Sequence, residues 1–116
     1  MLDNEIEKSK QHILIEIIDY TPNAVARKAI IQKTTGNISI LAIDTGEALS
    51  EKISPFDTFI QVIEGTAEVL IEDHPNLLKT GEGIIIPAHT PNVVKANGQF
   101  KMISTVIKSG YEGNTI

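Results

Sequence analysis

GEALSEKISPFDTFIQVIEG, residues 46–65, followed by GEGIIIPAHTPNVVKA, residues 81–96, decides how this chain is to be read. Each stretch opens on a glycine, and the first also closes on one. Between them, residues 59–63 and 67–71 are apolar runs on either side of Glu64-Gly65, a pattern that predicts two strands joined as a hairpin. In the second run Ala67, Val69 and Ile71 share one face, while Thr66, Glu68 and Glu72 share the other. That alternation is what a half-buried strand requires. Residues 84–86 form a further apolar run ending at Pro87, which cannot donate to a central ladder. Residues 92–96 then resume the strand pattern.

Outward from this centre the same grammar continues. Residues 24–32, 37–44 and 100–108 read as strands, and Thr34-Thr35-Gly36-Asn37 as the turn between the first two. Ile38, Ile40 and Ala42 fall on one face of the second, Leu41 and Ile43 on the other. Residues 72–76 and 79–83 are read as polar turns, residues 12–18 as a short strand or helical turn, and residues 110–116 as a polar tail. Twenty Ile and six Val stand against seven Leu. Such β-branched side chains are stiff and pack well on pleated surfaces. About eight or nine short strands at this spacing predict an all-β sandwich or barrel. Several strands are apolar on both faces, so a second surface needs covering, and a homodimer is expected to cover it.

Composition excludes several function classes. The 116 residues fit one structural domain. Cysteine is absent, which removes disulfides, thiolate metal sites and thiol nucleophiles. The net charge is −5 and the ten basic residues are scattered, so no basic face exists to displace the counterions of nucleic acid. Aromatics make up only 4%, which leaves few platforms for base stacking. The acidic N-terminus lacks a secretory pattern and no apolar run is long enough to span a bilayer. A cytoplasmic protein with no nucleic-acid or membrane partner is expected.

The two quoted stretches resemble the two sequence motifs of the cupins. The first motif runs Gly, five residues, His, one, His, three or four, Glu, six, Gly. Gly46 and Gly65 hold its ends here, and its ligand positions fall on Lys52, Ser54 and Thr58. The second motif runs Gly, five, Pro, one, Gly, two, His, three, Asn. Gly81 and Pro87 match it, followed by His89, Asn92 and Ala96. The phrases around them are similar to those of small single-domain bacterial cupins of the RmlC-like superfamily. The resemblance covers roughly residues 38–107 and implies an antiparallel jelly-roll β-barrel. Residues 37–109 would form the barrel, residues 1–36 would pack on it or on a dimer partner, and residues 110–116 would trail as the tail.

Metal ligation in such a barrel takes two or three imidazoles and a carboxylate converging on one point. Lys52, Ser54, Thr58 and Asn92 supply a cation, two hydroxyls and an amide instead. The sequence therefore predicts no metal and no other cofactor. The expected ligand-binding residues are Lys52, Thr58, Ile60, Val62, His89, Asn92 and Met102, with Ile40 and Val94 as further apolar wall. Lys52 inclines the expected ligand toward a small carboxylate. His89, in the 87–92 turn, is either a general base or a loop imidazole bonded to backbone. Lys52 either enters the cup or snorkels to the rim. Asp57 suits a turn or capping role.

Three functions follow from this. The leading one is a metal-free small-molecule-binding cupin. A metal-independent isomerase or epimerase using His89 or Lys52 is the second, and it needs a carboxylate behind His89. A structural or interaction protein with a filled barrel is the third. No catalytic residue is assigned.

Overall fold

The computed structural model describes residues 5–111, and for Ser50, Glu51 and Lys52 it describes the backbone alone. After a 3-10 turn at Leu14–Glu16, nine strands follow: β1 (Val25–Lys33), β2 (Gly36–Ile43), β3 (Ala48–Lys52), β4 (Thr58–Glu64), β5 (Thr66–Ile71), β6 (His74–Lys79), β7 (Gly83–Ile86), β8 (Asn92–Lys95) and β9 (Phe100–Ile107). They form a front sheet in the order β1-β2-β9-β4-β7 and a back sheet in the order β3-β8-β5-β6. Every pairing is antiparallel. This is a jelly-roll barrel in one domain, as the sequence predicts.

Strand alternation decides what lies between the sheets. From the front come Leu41, Ile43, Ile60, Val62, Phe100 and Met102, and from the back Ala67, Val69, Leu78 and Val94, all buried. Burying each of the larger side chains contributes roughly 1.5–3 kcal/mol. The registers Leu41↔Met102 and Val62↔Met102 set these residues in one row across three strands.

The opposite face of the front sheet has its own apolar cluster of Ile18, Ile40, Ala42 and Ile103, with Ile17 and Tyr20 packed against it. Ile40 therefore does not belong to the cup wall: the two-residue period puts it on the outer side of β2, back to back with Leu41. The N-terminal segment covers much of this outer face within the chain itself. A polar clamp holds the segment there. Lys101, almost fully buried, donates to the Ile15 carbonyl at 2.5 Å and lies 3.8 Å from Glu64 Oε1. Its ammonium sits 5.0 Å above the Tyr20 ring, and Tyr20 Oη donates to Glu64 at 2.7 Å.

Simple alternation would turn Glu64 into the barrel. A register shift between Val62 and Glu64 places it opposite Lys101 instead, the re-aiming that a β-bulge performs. Burial, then the hydrogen bond and the charge of Glu64, hold the Tyr20 phenol well above its ordinary value of 10.0. The folded protein thus keeps this proton after the unfolded chain has lost it. The associated stability is complete below pH 10 and is lost as pH rises from there toward the raised value. We expect the melting temperature to fall more steeply above pH 10 in the wild type than in Tyr20→Phe, as measured by thermal denaturation from pH 8 to 11.

Two sequence expectations are corrected by the topology. Residues 64–65 do not join a hairpin, because β4 belongs to the front sheet and β5 to the back sheet. Gly65 is the corner where the chain crosses between sheets. Both flanking strands bury the same kind of alternating face, so the pattern fits either connection. Residues 72–76 are not all turn: Glu72 and Asp73 alone have positive φ, at 50° and 67°, and β6 begins at His74. Pro75 is tolerated there because β6 is an edge strand.

Candidate functional site

Between the sheets, at the end where β4, β8 and β9 meet the 53–57 and 87–91 turns, lies a cavity of about 630 Å³. Its apolar wall includes Leu41, Leu49, Ile60, Ile86, Val94 and Met102, and its neutral polar groups are Asn37, Ser54, Thr58, Asn92 and Ser104. Among the described residues, Arg27 and Lys108 are the charged groups of the lining, and no acid is among them. Alternation places these groups. Asn37, Leu41, Thr58, Ile60, Met102 and Ser104 all occupy inward positions of β2, β4 and β9.

Of the residues expected to bind ligand, Thr58, Ile60, Asn92 and Met102 come together on this wall, as does Val94. Val62 does not line the cavity and lies in the closed core, 1% exposed. His89 does not line it either. It is exposed, with φ of 62°, and its backbone N–H donates to the Ser54 carbonyl at 2.6 Å. Among the described residues no carboxylate hydrogen-bonds the His89 ring, so the pair required for an epimerase base is not assembled. The Lys52 side chain lies outside the described residues; its backbone pairs with Asn92.

The rim is built by short turns. Ser54 Oγ accepts from the Phe56 N–H at 3.1 Å, and Asp57 Oδ1 accepts from the Ala88 N–H at 2.8 Å. Asp57 thus has the capping role its position suggests, tying one turn to the other. Its own N–H donates to Tyr111 Oη at 2.7 Å, and the Tyr111 ring meets Phe56 with centroids 5.8 Å apart. The sequence reading placed Tyr111 in a polar tail and missed this contact.

It also missed Arg27, whose guanidinium donates to Ser39 Oγ at 2.7 Å. The available signal was that Arg27 shares the parity of Val25 on β1.

The donor set can be tested against the metal that the cupin motifs carry. Ser54, Thr58 and Asn92 occupy motif ligand positions and do line the cavity, but they offer two hydroxyls and an amide. Among the described residues no three His, Asp or Glu are grouped to hold a metal ion. These side chains do not fit the usual mononuclear site, which takes imidazole and carboxylate donors.

No protein-family model matches the chain. A stretch of 55 residues is 36% identical to the protein SchB of Streptomyces halstedii; it represents 47% of this chain and 40% of SchB, so the match spans less than half of either protein. Two solved structures are similar over nearly the whole length. A cupin superfamily protein from Desulfitobacterium hafniense superposes with a TM-score of 0.84 at 25% identity, covering 94% of this chain and 99% of that one. A conserved protein of unknown function from Streptococcus pyogenes superposes with a TM-score of 0.87 at 24% identity, covering 92% and 94%. No helix among the described residues is long and apolar enough to cross a membrane. With the barrel, its motif glycines and these likenesses in place, the chain has the fold of a small bacterial cupin domain.

Proposed function

We propose that this cupin binds a small molecule in its cup without a metal ion, as a cytoplasmic homodimer. One observation carries the reading: a cavity of about 630 Å³ with apolar walls and a few inward hydroxyl and amide groups. Pockets of that size and composition suit small organic ligands, whose bodies the walls desolvate while the polar groups orient them. An open cup beside Asn92 speaks against a barrel filled by its own side chains. The absence of a carboxylate behind His89, among the described residues, speaks against the isomerase reading. Exposed Ile31, Phe59 and Ile85 lie in one row across the outer face of the front sheet, a surface of the kind a second copy would cover.

Methyl-resolved NMR tests the binding reading. Titration with a set of small organic acids and their amides is expected to shift the methyls of Ile60, Ile86 and Met102. Those of Ile18 and Ile40, on the outer face, should stay in place. Shifts spread over both faces, or none at millimolar ligand, would contradict it.

A further inference from the structure

We infer that the cup selects a small apolar carboxylate, its head group held between the Arg27 guanidinium and the Ser104 hydroxyl; this rests on the cavity being a binding site. Arg27 sits on β1, the edge strand of the front sheet, and is exposed at the mouth of the cup, where a guanidinium would ordinarily move freely in solvent. Here it is tethered. Ser39, 1% exposed, accepts its Nη2–H at 2.7 Å, so the fork is anchored over the cup. Ser39 pairs directly with Ser104 across β2 and β9, and side chains so opposed lie about 4.5–5.5 Å apart at Cβ. The fork and the Ser104 hydroxyl therefore flank one point on the cavity wall.

A guanidinium carries five N–H donors in a plane that matches a carboxylate. Only the bond to Ser39 occupies them among the described residues, where no acid lies in ion-pair range of Arg27. Lys108 adds a second cation to the lining, and among the described lining residues there is no acid, although the whole chain carries −5. An anion entering the cup thus meets two cations at its exposed mouth. The rest of the lining favours a carboxylate over a phosphate. Beyond the head-group position lie Leu41, Met102, Ile60 and Val94, which reward an apolar body. Among the described residues, no helix N-terminus and no glycine lines the cavity to wrap a phosphate.

The test uses the full chain and three matched probe pairs: hexanoate, phenylacetate and cyclohexanecarboxylate, each against its amide. Affinities are read by ligand-observed NMR in wild type and Arg27→Gln, with inorganic phosphate as competitor. At least one acid is expected to bind about ten-fold tighter than its amide, the scale of a charge-assisted hydrogen bond. Arg27→Gln should abolish that preference while the amide still binds and the melting temperature holds. Equal binding of acid and amide to wild type, or a preference surviving in Arg27→Gln, would overturn the carboxylate inference while leaving a binding cup. Displacement of the acids by millimolar phosphate would overturn it in favour of a phosphate site. Failure of all six probes to bind would overturn the binding reading itself, and the inference with it.

Discussion

Gly65→Ala is expected to lower stability by about 3 kcal/mol or more, seen as a fall of roughly 12–20 °C in the melting temperature. Two effects combine. Gly65 has φ of +84°, a conformation that costs an L-residue of order 1 kcal/mol. A β-carbon there would also stand 2.5 Å from the Gln99 carbonyl oxygen and 2.9 Å from the Phe100 Cβ. Those neighbours cannot step aside cheaply, because one is backbone and Phe100 is fully buried. Gly81→Ala supplies the control, since its φ is +91° but nothing lies within 4 Å of the added carbon. It should cost only about 1 kcal/mol. Equal losses in the two variants would mean that close packing at the sheet-to-sheet corner is not what requires glycine.

Phe100→Ala should cost about 3–5 kcal/mol in chemical denaturation, a large share of the roughly 5–15 kcal/mol that holds a domain together. Phe100 is 0% exposed and pairs with Ile43, which is equally buried. Removal leaves a void that two hydrogen-bonded sheets cannot close. Phe59→Ala is the comparison. That ring is 39% exposed on the outer face, so its loss should cost no more than about 1 kcal/mol. A similar loss at both positions would place the principal core somewhere other than between the sheets.

How much of this was legible follows from what each residue encodes. Gly46, Gly65, Gly81 and Pro87 punctuate the chain at spacings that side-chain packing alone would not demand, so the barrel could be read early. The inward placement of Thr58, Ile60, Asn92 and Met102 follows from alternation once the strands are known. Alternation fails where the ladder is irregular. The bulge before Glu64 turned a carboxylate outward onto Lys101 and Tyr20, and a period of two could not foresee it. Nor could it tell a hairpin from a corner at Gly65, since the connection depends on which strands pair. Arg27 was hidden for a different reason. Both faces of β1 mix apolar and charged residues, so the cup side became visible only through the pairing with β2. The same ambiguity let Ile40 pass as cup wall, when β2 buries both of its faces.

The cup is expected to bind its ligand through its own side chains, without an ion. The most direct measurement is the methyl titration of Ile60, Ile86 and Met102 on protein stripped with a chelator, beside the untreated protein and with elemental analysis of both. No stoichiometric Zn, Fe, Mn or Ni is expected before stripping, and the two titrations should superimpose. One tightly held transition metal per chain, with binding lost on its removal and restored on its return, would contradict it.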